Sequence, residues 1–245
     1  MTSLIDLNTI ETVTGQYFCV TNPMPQMVRL EDIVWALSRQ ARFTGHTASY
    51  EIYSVAQHSV FVTQLVTGII SPDHKWYQSL IESFEDFVGR HSKDAMQVVW
   101  QYRNKDFNRL SVQLNALMHD ASEAYLADIS TPIKILLPYY YVLEAGVQKA
   151  ITTALNIPEM SEVERLMVRW ADMKALQLEA YHMMHSKGVD YELSIAPMNE
   201  AQEKIYFDPP SPQHEVRTSF EDHYKLITDN IKQVEALYDA ISKSH

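Results

Sequence analysis

The chain repeats apolar residues at intervals of three and four almost throughout, the signature of helices that bury one face. "VRLEDIVWALSRQARF" places Leu30, Ile33, Val34 and Leu37 on one face, and "YSVAQHSVFVTQLVTGI" does the same with Val55, Phe61, Val62 and Leu65. An aromatic and acidic stretch from Pro72 to Asp106 reads as helical with an interruption near Gly89, and Trp76, Tyr77, Phe84, Phe87, Trp100 and Tyr102 read as the core of a helix hairpin there or, in part, as the interface of a partner-binding or dimerisation insert. A helix is then predicted from Phe107 to about Leu126, carried by Leu110, Leu114, Leu117, Ala121 and Tyr125. "TPIKILLP" breaks it, and helices follow at Leu143–Leu155 and about Glu159–Met184. The proline-rich "YFDPPSPQH" is a loop, and Val216 to Ile241 is a terminal helix. Alternating strand patterns are confined to "GQYFCVTNP", and no internal repeat or low-complexity segment is present. The expectation is an all-α single domain over 1–245, with a core over about 28–185, a helical insert over about 72–106 and a C-terminal extension over about 186–245.

Composition narrows the function classes. With 31 acidic and 20 basic residues the net charge is −11, which disfavours binding to a nucleic-acid polymer, because no basic stripe can release phosphate counterions. Six glycines in 245 residues argue against glycine-rich phosphate loops. Cys19, the single cysteine, can form neither an internal disulfide nor a thiolate metal site, which fits a reducing compartment. "MTSLIDLNTIETVTG" lacks the basic start and apolar run of a signal peptide, and "SVFVTQLVTGII" is too short to span a bilayer. The expected location is the cytoplasm, with no membrane partner; a homodimer is expected on base rates.

One helix nevertheless carries charge beside its apolar face. "LMHDASEAYLADISTPIK" puts His119, Asp120, Glu123 and Asp128 within ten residues, after Leu114, Leu117 and Met118. Burying such groups is costly unless a partner compensates. His119 and Glu123, four apart, and Asp120 and Glu123, three apart, share one helix edge. His58 sits among Val55, Val62 and Leu65, and Asp172 follows Trp170 and Ala171 in "VRWADMKALQLEA". Two histidines and two carboxylates form an N/O ligand set suited to Mn, Co, Fe or Zn and tolerant of Mg. Taken singly, His58 also reads as a hydrogen-bonded core histidine, and Asp172 as a cap or a partner of Arg169.

The order "YSVAQHSV … HDASEAYLADISTPIK … VRWADMKALQLEA" resembles the HD-domain metal-dependent phosphohydrolases over roughly Leu30 to Ala180. It is most similar to the branch of bacterial 5'-deoxynucleotidases and small phage nucleotide hydrolases. The likeness is strongest in H-D-x-x-E-x-x-x-x-D-x-x-T-P-x-K, from His119 to Lys134. It implies that His58, His119, Asp120 and Asp172 ligate one divalent metal ion (Mn, Co, Mg or Zn). It implies that Glu123 acts on the attacking water or the leaving-group proton, and that Asp128 positions the sugar or the water network. Phosphate is gripped in relatives by an arginine before the first histidine, usually followed by tryptophan. Here Arg42-Phe43 takes that place, Arg39 one helical turn earlier is the reserve, and Phe43 departs from the pattern. His46, Thr131 and Lys134 complete the expected substrate contacts.

The reaction so implied is hydrolysis of deoxynucleoside 5'-monophosphates to deoxynucleoside and phosphate, in the host cytoplasm if the enzyme is phage-encoded. Few cations stand near the motif, so the alternative, a dNTP triphosphohydrolase releasing triphosphate, is less well supplied. A third reading is a nucleotide-binding regulatory module without catalysis.

Overall fold

The computed structural model describes residues 7–71 and 75–243, and side chains are described in helix α3 from residue 78 onward. The hairpin-core positions Trp76 and Tyr77 therefore lie outside the described residues. The fold is all-α: among the described residues there are eleven helices and one two-stranded hairpin. No helix of the described residues is long and apolar enough to cross a membrane.

Two compact units interleave along the chain. The first comprises Met1–Ser59, Met118–Pro158 and Asp208–Thr218. It opens with the antiparallel hairpin β1 (Thr9–Glu11) and β2 (Tyr17–Cys19), of which the sequence pattern had indicated the second strand. The buried Phe18 of β2 stacks on Tyr125, with ring centroids 3.8 Å apart. Helix α1 spans Leu30–Leu37 and buries Ile33, Val34 and Leu37. Thr14 donates its backbone N–H and its hydroxyl to Asp32, tying the hairpin to this helix. Helix α1 stops well short of the expected end at Phe43, and Ala41 instead bridges Ser54 in an antiparallel pair. Arg39 and Arg42 are thus not one helical turn apart.

The second unit comprises Val60–Leu117, Glu159–Phe207 and Ser219–His245. Helix α2 covers Val55–Ile70, as its apolar spacing predicts; its residues up to Ser59, His58 among them, belong to the first unit and the rest to the second. The aromatic stretch forms α3 (Lys75–His91) and α4 (Ala95–Arg103), which pack on each other; Gly89 lies inside α3 and the chain turns after His91. Helix α5 (Arg109–Leu117) packs along α9 (Glu162–Met183), whose start is fixed by a capping box between Ser161 and Glu164. Phe84, Phe87, Leu80, Trp170 and Leu178 form a continuous apolar core, with Trp170 edge-on to Phe84.

The helix expected from Phe107 to Leu126 is interrupted. α5 ends at Leu117, a series of turns carries residues 118–122, and α6 resumes over Glu123–Leu126. "TPIK" forms the short helix α7 (Thr131–Lys134), and α8 begins at Pro138, earlier than predicted, and runs to Ala154. Proline suits that first position, because the N–H it lacks would have had no helical partner. Helix α10 (Glu200–Glu203) and α11 (Gln213–Lys243) complete the chain.

Candidate metal centre

His58 lies in the first turn of α2 and is fully buried. The Ala41–Ser54 bridge sets where that helix begins, and the neighbouring Gln57 holds the proline-rich segment, donating to the Pro209 carbonyl at 2.7 Å and accepting from the Ser211 N–H. His119 and Asp120 come from the turns between α5 and α6. His58 Nε2 and His119 Nε2 are 3.3 Å apart. Asp120 Oδ2 is 3.1 Å from His119 Nε2 and 3.6 Å from His58 Nε2. Three donor atoms thus form a triangle with edges of 3.1 to 3.6 Å. Donors about 2.1 Å from one ion stand about 3.0 Å apart at right angles and about 3.4 Å apart at the tetrahedral angle. The triangle fits the footprint of one cation, and imidazole with carboxylate is a donor set such ions accept.

Around the triangle lie the other motif residues. Arg42 Nη1 is 3.8 Å from Asp120 Oδ2, and both side chains are largely buried. Arg42 heads a tight turn in which Phe43 and Thr44 both adopt φ of 54° and Gly45 follows at 78°. Two successive non-glycine residues in the left-handed region cost of order 1 kcal/mol or more each. The turn persists because Arg42 N–H donates to the Tyr53 carbonyl and Val55 N–H to the Gln40 carbonyl, clamping both ends of the loop.

Glu123 is buried, and its Oε2 has no hydrogen-bond partner among the described residues. Burial, reinforced by Asp120 and Asp128, pushes its pKa up to about 9, so the carboxyl holds a proton at neutral pH. Asp128 is shifted the same way by burial; Arg42 opposes the shift and Asp120 adds to it. Lys134 Nζ is hydrogen-bonded to Glu144 at 2.7 Å and stands 3.6 Å from Glu123 Oε1. Burial works against its charge, but the hydrogen bond to Glu144 and the nearby Glu123 outweigh it and raise its pKa.

Not every expected residue converges here. Arg39 is exposed and stacks on Trp35, with its guanidinium carbon 3.9 Å from the ring centroid. His46 is exposed beyond the Arg42 turn, and Thr131 is exposed at the start of α7. Phe43 is half-buried beside Arg42, its ring centroid 5.8 Å from the guanidinium carbon. Asp172, half-buried on α9, is not one of these outliers: its carboxylate is among the donors that could hold a metal ion.

Four side chains that the sequence reading passed over hold this region in shape. Gln40 donates to the Glu123 carbonyl at 2.9 Å and accepts from the Asp128 N–H at 3.2 Å. On α8, Tyr140 donates its hydroxyl to the Ala127 carbonyl, Glu144 holds Lys134, and Gln148 contacts Met118 and Ser122. The available signal was a polar ridge at 140, 144 and 148, one residue per turn, on a helix that otherwise buries Val147 and Ile151.

No family model matches the chain. The chain is similar to the uncharacterized protein YfdR of Escherichia coli, 28% identical over 170 residues that cover 69% of each protein. It is also similar to the uncharacterized protein RCAP_rcc00048 of Rhodobacter capsulatus, 25% identical over 203 residues, or 82% of this chain and 79% of the relative.

Proposed function

We propose that the protein is a divalent-metal-dependent phosphohydrolase of the HD-domain type that converts deoxynucleoside 5'-monophosphates to deoxynucleoside and inorganic phosphate. The observation that carries this reading is the triangle of His58 Nε2, His119 Nε2 and Asp120 Oδ2, beside an arginine and a buried glutamic acid. His58, His119 and Asp120 would hold the ion, and the sequence pattern adds Asp172 as a fourth ligand. When bound, the ion would supply Lewis acidity, lowering the pKa of a water and neutralising phosphate charge.

The chain's own residues divide the remaining work. Arg42 offers a planar guanidinium that can grip two phosphate oxygens. Its tight turn and its neighbour Asp120 hold the group in place before substrate arrives. As water adds to phosphorus and the bond from phosphorus to the 5'-oxygen breaks, the leaving alkoxide needs a proton. Glu123 carries one at neutral pH, and an acid with a raised pKa suits that donation. Lys134, 3.6 Å away, stabilises the carboxylate left behind. Asp128, held by Gln40 through its backbone, is the group for a sugar hydroxyl or the water network. Lys134 is engaged by Glu144 and Arg39 by Trp35, which leaves few cations for a triphosphate and supports the monophosphate reading. The preference for deoxyribose rests on the sequence resemblance.

The test is to strip metal, add back Mn, Co, Mg or Zn, and resolve the products from dNMPs, NMPs and dNTPs. Phosphate and nucleoside from dNMPs, with little from NMPs, is the expected result. Intact triphosphate from dNTPs would redirect the assignment, and no turnover with any metal would overturn it.

A further inference from the structure

The interruption between α5 and α6 has a cause that can be named atom by atom. In an unbroken α-helix the Ser122 N–H would donate to the Met118 carbonyl, four residues back. Here the side-chain amide of Gln148 stands between them. Ser122 N–H donates to Gln148 Oε1 at 3.1 Å, and Gln148 Nε2 donates to the Met118 carbonyl at 2.9 Å. One helical hydrogen bond is replaced by two, so the ladder opens without leaving either backbone group unsatisfied. Insertion of a side chain into the ladder is an established cause of a helix kink. The turns on either side tighten accordingly: Ala121 N–H reaches Met118, Glu123 reaches Asp120, and Tyr125 reaches Ser122, all three residues back.

His119 and Asp120 lie inside the span that Gln148 bridges. A regular helix points consecutive side chains about 100° apart. In the opened segment His119 Nε2 and Asp120 Oδ2 come within 3.1 Å of each other, and both approach His58 Nε2. We infer that Gln148 is a positioning residue: its amide, wedged between Met118 and Ser122, turns His119 and Asp120 into a convergent pair facing His58. Gln148 touches none of the donor atoms; it acts through the backbone that carries them. α8 gives it a rigid base, because Glu144 and Tyr140, one and two turns earlier, fasten the same helix to Lys134 and Ala127. The consequence for metal binding rests on the reading proposed above. The consequence for the histidine geometry does not.

Gln148→Met keeps the length of the side chain and removes both hydrogen bonds; Gln148→Glu keeps an acceptor for Ser122 N–H and loses the donor to Met118. Co2+ titration of each full-length chain, followed by visible absorption, reads affinity and ligand geometry together. Thermal melting and the metal-free proton NOE between the His58 and His119 rings are recorded on the same samples. Gln148→Met is expected to bind Co2+ about 10-fold or more weaker than the parent with an altered spectrum. Its melting should stay near the parent's, its inter-ring NOE should weaken, and Gln148→Glu should fall between the two. Parent-like affinity and spectrum in Gln148→Met overturn the inference. If the parent itself does not bind Co2+, the metal reading fails separately and the NOE decides: lost in Gln148→Met supports positioning, unchanged overturns it. Should Gln148→Met not fold, the same criteria apply to Gln148→Glu.

Discussion

Glu123 and Glu164 are each 4% exposed, yet they are buried on different terms. In the second unit, Glu164 accepts from the Asn108 N–H at 2.8 Å through one oxygen and from the Ser161 N–H at 2.7 Å through the other. In the first unit, Glu123 has an oxygen with no hydrogen-bond partner among the described residues, and two more carboxylates nearby. Glu164 belongs to the unit that holds the aromatic and aliphatic core of Trp170, Phe84 and Phe87. Around Glu123 lie Asp120, Asp128, Lys134 and Arg42. An unsatisfied polar group costs about 1–3 kcal/mol, and a chain retains such a cost where the group has chemical work to do. The second unit therefore reads as the source of stability and the first as the place where stability is given up for a site.

This contrast can be broken in several ways. The largest expected effect is that of His119→Ala, which should lower kcat/KM on dNMPs by on the order of a thousand-fold or more, while the melting temperature stays within a few degrees of the parent. A variant with parental turnover would remove the site from the first unit. Next, Trp170→Ala should cost about 3–5 kcal/mol in urea unfolding, since a fully buried indole leaves a large cavity.

The two glutamates should then respond with opposite signs. Glu164→Ala strands two backbone donors and should destabilise by about 1–3 kcal/mol. Glu123→Gln in the metal-free chain should stabilise. The folded pKa of Glu123, about 9, lies above its unfolded value of 4.5, so ionisation favours unfolding as pH rises between those limits. The gain from Glu123→Gln should be absent below pH 4.5, reach about 3 kcal/mol at pH 7, and level off above pH 9. Chemical unfolding at several pH values checks it, and a gain that does not grow with pH would show that Glu123 is ionised in the folded chain.

The second unit has a titrating group of its own. Lys174 is fully buried, donates to Gln177 and Gln202 side-chain oxygens at 2.6 and 3.1 Å, and is brought down to about 8 by burial, from 10.5. Unfolding takes up protons between those values, so stability should rise by about 3 kcal/mol from pH 8 to 10.5, and Lys174→Met should flatten the rise. The smallest effect belongs to Arg39→Ala, less than about three-fold on turnover, because its exposed guanidinium rests on the half-buried Trp35 ring. Arg42→Ala should cost at least about ten-fold more than that; equal losses would return Arg39 to the site.

Much of this was readable before the chain was folded. The spacing at Val55, Val62 and Leu65 announced α2 and put His58 in its first turns. The H-D-x-x-E order brought His119, Asp120 and Glu123 to attention, but the shared helix edge expected of them is absent, since His119 and Asp120 lie in turns and Glu123 opens α6. The helix said to carry them was misread, because Leu110, Leu114, Leu117, Ala121 and Tyr125 keep a helical period straight through the break. Periodicity records which side chains are buried, and it is blind to a hydrogen bond replaced within the backbone. Lys134 was read as a substrate contact with no thought of Glu144, its partner, which stands ten residues on in what was taken for a loop and helix start.

The sequence by itself determined the helical class, the candidate ligands and their order along the chain, since these follow from local spacing and residue chemistry. The tertiary structure decided what the candidate ligands face and how strongly Glu123 holds its proton. Gln148 reaches its turn across 26 residues and Gln40 reaches Glu123 across 83, and neither contact leaves a local pattern. The pKa of Glu123 likewise belongs to its burial and its neighbours, which exist once distant segments have packed together.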